Sequence, residues 1–250
     1  MRILAIGDVV GDRAVAYLEE HLDRVRREQK IDFVIANAEN AAEVRGLNAR
    51  QAERLFFAGV DAITLGNHAF GQRDLYPVLE SDCRIVRPAN FPPQTPGMGY
   101  TILPFCGGKM LIMNICGRAF MDSYGDPFAA VENILRREAG NYDLSVLDVH
   151  AEATSEKLAI ARRFDGRIDI IFGTHTHVPT ADEQLLPKGT AYQTDIGMSG
   201  PVDGILGVTT EAVLERFVSL MPARFTTAAG EIRVNATVFT PKAIPERIVF

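Results

Sequence analysis

Asp8, Glu39, Asn40, Asn67, His150, His175 and His177 carry carboxylate, amide and imidazole groups, the oxygen and nitrogen donors that hold transition-metal ions. Each stands just past the end of a short apolar run. Ile3–Ile6 leads into Gly7-Asp8, Phe33–Ala36 into Asn37-Ala38-Glu39-Asn40, and Ala62–Leu65 into Gly66-Asn67-His68. Leu144–Val149 leads into His150, and Ile168–Phe172 into Gly173-Thr174-His175-Thr176-His177. Four of the chain's five histidines fall in these clusters. Singly, each has an ordinary reading: Asp8 as a helix cap, Asn67 as a turn residue, His150 as a buried core histidine. Together they point to a metal site, because ligands of open α/β sheets gather at the carboxyl ends of the strands. Seven donors exceed one tetrahedral shell and so predict two ions. Ions held ~3.5–4 Å apart need a bridging carboxylate, for which Glu39 is the candidate. Oxygen and imidazole donors without a thiolate favour iron or manganese and also accommodate zinc. Strand alternation would turn His175 and His177 to one face, whereas a loop could aim one at each ion.

The apolar runs must then be strands of one α/β fold. Ala14–Lys30, with Tyr17, Leu18, His21, Leu22 and Val25 along one side, has helical periodicity, as do Ala49–Ala58 and Asp74–Glu80. Strands at Ile3–Ile6, Phe33–Ala36 and Val60–Leu65 alternate with them, the pattern of βαβ units and a parallel sheet. Pro88, Pro92, Pro93, Pro96, Gly97 and Gly99 make a loop, and Tyr100–Phe105 and Met110–Ile115 flank Gly107-Gly108-Lys109 as a hairpin. A helix over Pro127–Ala139, a strand over Leu144–Val149, a helix over Ser155–Arg163 and a strand over Ile168–Phe172 resume the alternation. A strand near Thr190–Thr194, a helix near Thr210–Leu220 and a strand over Glu231–Thr240 follow. No linker or repeat interrupts the pattern, so one domain over residues 1–250, mixing parallel and antiparallel strands, is expected. The loops at Arg87–Asn90 and Asp195–Pro201 read equally as pocket walls or as plain turns. His21 reads as solvated surface, and Phe56-Phe57 as core or as a contact of a homo-oligomer.

Composition narrows the partners. Acidic residues exceed basic ones, 32 to 26, for a net charge of −6. Long nucleic acids are therefore not expected, because backbone binders present a basic face. A small phosphorylated ligand held through metal stays open. No apolar run reaches the ~18 residues of a membrane span or the length of a signal segment, so a cytoplasmic protein away from membranes is expected. Cys83, Cys106 and Cys116 show no CxxC spacing and read as reduced, mostly buried thiols.

The ordered set Gly-Asp, Gly-Asn-His, a later lone His and Gly-x-His-x-His resembles the motifs of calcineurin-like metallophosphoesterases. The likeness extends to the YmdB-like phosphodiesterase branch. It runs through Gly7-Asp8-Val9-Val10-Gly11, Asn37–Asn40, Arg87-Pro88-Ala89-Asn90, His150–Lys157, Gly173–His177 and Thr194-Asp195-Ile196-Gly197-Met198. The resemblance implies a four-layer α/β/β/α sandwich around two mixed sheets. It also implies a dinuclear centre, with Asp8, Glu39, Asn40 and His177 on one metal and Glu39, Asn67, His150 and His175 on the other. His68 would be the general acid outside both shells; its competing role is to orient Asn67. Val10 stands where many superfamily members have a ligating His, and Glu39 where most have a bridging Asp. The Asn40 amide oxygen is the expected replacement for the missing ligand. Ala69-Phe70 also departs from the acidic residue common at that place.

The implied reaction is hydrolysis of a small phosphoester, a 2′,3′- or 3′,5′-cyclic nucleotide in the YmdB-like branch. Hydroxide held between two cations attacks phosphorus, and His68 protonates the departing oxygen, a role a histidine's ordinary pKa suits. Two rivals stand beside this reading. An amidohydrolase-type metal hydrolase would carry its His-x-His on the first strand of a barrel. A regulatory protein that binds a nucleotide through metal would show little turnover.

Overall fold

The computed structural model describes residues 1–43 and 45–250. Its first half runs β1 (Ile3–Ile6), β2 (Asp8–Val9), α1 (Asp12–Glu28), β3 (Phe33–Asn37), α2 (Ala49–Phe57), β4 (Ala62–Thr64), α3 (Tyr76–Ser81), β5 (Ile85–Val86), β6 (Tyr100–Phe105) and β7 (Gly108–Cys116). There follow α4 (Pro127–Arg137), β8 (Leu144–His150), α5 (Thr154–Phe164), β9 (Ile170–Thr174), β10 (Gln184–Leu185), β11 (Ala191–Gln193), β12 (Met198–Pro201), α6 (Thr210–Ser219), β13 (Ile232–Phe239) and β14 (Glu246–Val249). Asn48 and Gln51 cap α2 reciprocally, and the Asp126 carboxylate accepts the Phe128 and Ala129 amides at the start of α4, where Pro127 needs no acceptor.

Two mixed sheets result. The first has the order β2-β12-β13-β1-β3-β4-β5, with β14 also on β13, and the second β10-β11-β9-β8-β7-β6. In the first, β1, β3, β4 and β5 are parallel and β13 runs against β1. In the second, β7, β8, β9 and β11 are parallel, with antiparallel β6 and β10 at the edges. The strands are apolar on both faces because both faces are covered. Leu4 and Ile6 of β1 point to α1 and α2, while Ile3 and Ala5 point to the second sheet, where they join Val146, Ile170 and Phe172. Leu147 and Val149 of β8 pack on Val131, Ile160 and Phe164 of α4 and α5. Three cores between four layers make the α/β/β/α sandwich. Two sheets with helices outside them leave no place for the barrel of the amidohydrolase alternative.

Several expectations are corrected. The ordinary alternative for Asp8, a helix cap, is set aside: Asp8 lies in β2, and α1 opens at Asp12 after Gly11, whose φ is +79°. Part of the segment read as the loop Asp195–Pro201 is β12. His21 is half-buried, its ring stacked 4.0 Å from that of Tyr17. Cys83 and Cys106 are exposed and only Cys116 is buried. Phe57 is exposed, whereas Phe56 packs on the first core under the Arg84 guanidinium. No helix of the described residues is long and apolar enough to cross a membrane.

Phe172, 1% exposed between the sheets and 5.8 Å from the Phe239 ring, is the test of sheet docking. Phe172→Ala should destabilise the fold by about 3–5 kcal/mol through the cavity it leaves. The check is the shift in urea midpoint, and a loss under about 1 kcal/mol would show that the two sheets do not depend on this contact.

Candidate metal centre

The parallel strands end in register: Ile6 pairs with Ala36, Asn37 with Thr64, and His150 with Thr174. The first sheet thereby delivers Asp8, Glu39, Asn40 and Asn67 and the second delivers His150, His175 and His177. Around His150 Nε2 lie Asn67 Oδ1 at 2.9 Å, His175 Nδ1 at 3.1 Å and Glu39 Oε1 at 3.2 Å. The same Glu39 oxygen is 3.0 Å from Asn40 Nδ2, which lies 3.4 Å from His177 Nε2. His177 Nε2 is 3.7 Å from Asp8 Oδ1. Two donor groups, one with Asn67, His150 and His175 and one with Asp8, Asn40 and His177, thus meet at Glu39. The amide nitrogen of Asn40, rather than its oxygen, faces His177; a 180° rotation of the amide exchanges them.

His68 belongs to neither group. Its backbone N–H donates to Glu39 Oε2 (2.8 Å), and its Nδ1–H donates to Asn40 Oδ1 (2.9 Å). Its Nε2 has no partner among the described residues, and the ring lines a cleft of about 350 Å³ beside Glu39, His175 and His177. Beyond β9, His175 and His177 both have left-handed backbones, with φ of +91° and +64°. That breaks strand alternation, so His175 meets His150 and His177 meets Asp8. Gly66 is needed for close approach: a Cβ there would overlap the His150 imidazole and the Glu39 carboxylate.

The electrostatics fit a cation. Asp8 Oδ1 is buried with no hydrogen-bond partner among the described residues, a costly state for a carboxylate oxygen. Burial raises the Asp8 pKa, opposed by His177 and His150. Burial also works to raise Glu39, but His150 and His68 outweigh it and hold this carboxyl well below its usual range. Burial together with the neighbouring His150 pushes His175 down to about 3, leaving a neutral imidazole with a free lone pair. His150 is lifted to about 9, burial being outweighed by Glu39, so a cation entering here displaces the His150 proton. His150 Nε2, His175 Nδ1 and a Glu39 oxygen lie within 4.8 Å of one another. Three donors this close together suit a divalent ion.

The roles of several supporting residues were not legible in the sequence, although Glu152, Lys157 and Asp195 lie within the segments that carry the resemblance. Asp148, buried mid-strand, accepts hydrogen bonds from Thr64 (2.6 Å), Thr174 (2.7 Å) and Asn37 (3.0 Å). Lys157 and Asp195 form a buried ion pair at 2.6 Å, and Asp195 also accepts the Thr176 amide and hydroxyl, anchoring the loop between the two histidines. Glu152 lies 3.1 Å from His175 Nε2. An acid inside an apolar strand and a Lys inside a helix's buried face were the available signals. The Arg87–Asn90 loop is structural, not a pocket wall: Arg87 donates to the Pro88 carbonyl, and Asn90 ties Cys116 to Gly125.

Two mixed sheets between helices, with histidines and carboxylates gathered at the strand ends, define an α/β protein of metallophosphoesterase-like architecture. The chain belongs to the YmdB-like family, whose model matches residues 4–246. A Bacillus subtilis (strain 168) relative named 2′,3′-cyclic-nucleotide 2′-phosphodiesterase is 42% identical over 100% of this chain and 97% of its own. A crystal structure of a hypothetical protein from Thermus thermophilus is 44% identical, with a TM-score of 0.94 over 100% of this chain and 99% of that one. A crystal structure described as a novel phosphatase from Mycoplasma pneumoniae is 32% identical, with a TM-score of 0.93 over 100% and 93%.

A pH dependence follows for the protein stripped of metal. The folded state binds the His150 proton with a pKa of about 9 against 6.5 for an ordinary histidine. The stability this contributes is present in full below pH 6.5 and is lost as pH rises through about 9. Urea midpoints of chelator-treated protein should fall across that window, and His150→Gln should flatten the slope. A midpoint that climbs from pH 6.5 to 9 would contradict the pairing with Glu39.

Proposed function

We propose that the chain is a metal-dependent phosphodiesterase acting on small phosphoesters, cyclic nucleotides above all, in the cytoplasm. The observation that carries the reading is the pair of donor groups meeting at one buried carboxylate, Glu39, beside an open cleft. The family membership and the named activity of the Bacillus subtilis relative support it. Asp8, Glu39, Asn40 and His177 would hold one divalent ion, and Glu39, Asn67, His150 and His175 the other, with iron or manganese preferred over zinc. When bound, such ions bring the pKa of water near neutrality and neutralise phosphoryl oxygens.

The protein's own part in the reaction centres on His68. With the Asn40 amide turned so that its oxygen faces the ion, its Nδ2–H donates to His68 Nδ1, which leaves the ring's proton on Nε2, the nitrogen free to deliver it. As the bond from water oxygen to phosphorus forms, the ester P–O bond breaks. The departing oxygen takes the Nε2 proton and leaves as a hydroxyl, and the attacking water's proton passes to solvent. Burial of Glu39, Asp8 and His150 excludes water from the ligand side and leaves the cleft as the approach.

Metal analysis of protein expressed with ample metal should give about two ions per chain, and Glu39→Ala should lose both. One ion in the unaltered protein, or one retained in Glu39→Ala, would remove the bridged arrangement. A panel of phosphoesters with Mn²⁺, Fe²⁺ and Zn²⁺ added back tests the activity.

His68→Ala should keep its metal yet hydrolyse esters with poor leaving groups roughly 10²–10⁴-fold more slowly. Esters of p-nitrophenol, which depart without a proton, should lose far less. His150→Ala should instead lose metal and both activities together. Equal losses on the two ester classes in His68→Ala, with metal depleted, would make His68 an orienting residue rather than an acid.

A further inference from the structure

We infer that the apolar side of the cleft, formed by Leu206, Val208 and Phe225, seats the nucleoside of the substrate, with Phe225 as the platform for its base. The inference rests on the phosphodiesterase reading above and adds where the rest of the substrate lies. Phosphorus must sit against the donor groups, and the departing ester oxygen must face His68. His68 lines the same cleft as Leu206, Val208 and Phe225. In a cyclic nucleotide the departing oxygen belongs to the ribose, so ribose and base continue from His68 into this cleft. They do not enter the separate opening beyond His175, which Asn67, Phe120 and Tyr124 line.

The wall is built with strain that the fold's packing does not explain. Leu206 and Gly207 have φ of +50° and +85° and form a tight turn between Ile205 and Val208, whose amides and carbonyls pair in both directions. Leucine is disfavoured there because its Cβ crowds the following carbonyl, and this one is still 48% exposed, so little burial offsets the strain. The turn does two things instead. It sets the Leu206 side chain on the cleft, and it brings the Leu206 carbonyl 3.3 Å from His177 Nδ1. A Cβ on Gly207 would stand 2.7 Å from Val10 Cγ1, so the turn is pressed onto the site's floor. Phe225 lies on the segment bonded to this turn through Thr209 and Thr226, with the Arg216 guanidinium 5.8 Å from its ring centroid. A half-buried ring that lines one cleft with aliphatic side chains and the proton donor suits the π-face of any base. Loss of one such stack weakens binding roughly 5- to 150-fold.

The test compares the Mn²⁺-loaded protein with Phe225→Ala, Phe225→Trp and Phe120→Ala. The substrates are 2′,3′-cyclic AMP and methyl ribofuranoside 2′,3′-cyclic phosphate, which keeps the ribose and has no base; binding of adenosine 3′-phosphate and of inorganic phosphate is titrated alongside. Phe225→Ala should raise KM for the cyclic nucleotide and weaken adenosine 3′-phosphate by that factor. Its kcat, its action on the base-free cyclic phosphate and its phosphate binding should stay within about threefold. Phe225→Trp should restore the nucleotide, and Phe120→Ala should change nothing beyond threefold. The seat is overturned if Phe225→Ala affects both substrates alike or neither, or if the base-selective loss follows Phe120→Ala. Absence of turnover on both esters, with adenosine 3′-phosphate binding still dependent on Phe225, would remove the phosphodiesterase reading and leave the seat standing.

Discussion

Asp148 joins the two sheets at the end where the site lies, and the geometry of the site depends on how its carboxylate is satisfied. Thr64 and Asn37 reach it from the first sheet and Thr174 from the second. Burial lifts its carboxyl to about 6 even against these bonds. Each donor stands within three residues of a candidate ligand: Asn37 before Glu39, Thr64 before Asn67, Thr174 before His175. The Thr174 hydroxyl, having given its hydrogen to Asp148, can only accept from His150 Nδ1, 2.9 Å away. That leaves the lone pair of neutral His150 on Nε2, facing Glu39, Asn67 and His175. One carboxylate thus sets both the spacing of the strand ends and the tautomer of a histidine two residues along its own strand.

The same device recurs at His177. A backbone carbonyl accepts from its Nδ1 and turns its Nε2 toward Asp8 and Asn40. The loop that carries it is held by Asp195, whose charge is balanced by buried Lys157. Removing either member of that pair would leave a charge uncompensated in the core, which is far more damaging than never having had the pair. Two left-handed histidine backbones persist because this anchoring over-determines the loop.

Strand ends carrying Asp8, Glu39, Asn67, His150 and His175 were legible because fully buried strands are continuous apolar runs, and a polar residue ending such a run stands out. The helices were legible from their stripes, α1 from Leu18, Leu22 and Val25. Very short strands such as β2, β5 and β12 were not, since two to four residues hold no period and owe their pairing to partners distant in the chain. Asp148 was hidden for a related reason: within Leu144–His150 its role depends on three donors from other strands. The Leu206-Gly207 turn was hidden because leucine is not a residue from which such a turn is read.

Neither sheet holds a complete site. Acidic and amide oxygens come from the first sheet and imidazoles from the second, so a cation bound among them joins the two. At this end the sheets face each other through a polar seam, while elsewhere between them Ile3, Ala5, Ile35, Val146, Ile170 and Phe172 make a dry core. The apolar part supplies docking energy that does not depend on any ligand. The polar part leaves Asp8 Oδ1 without a partner among the described residues and holds a proton on His150 that a cation would displace. A divalent ion held there would bind the folded state and find no preformed site in the unfolded chain, so its binding free energy would add to the docking of the sheets. The four-layer architecture, with its parallel strands in register within each sheet, is what allows six side chains so distant in sequence to gather around the buried Glu39 carboxylate.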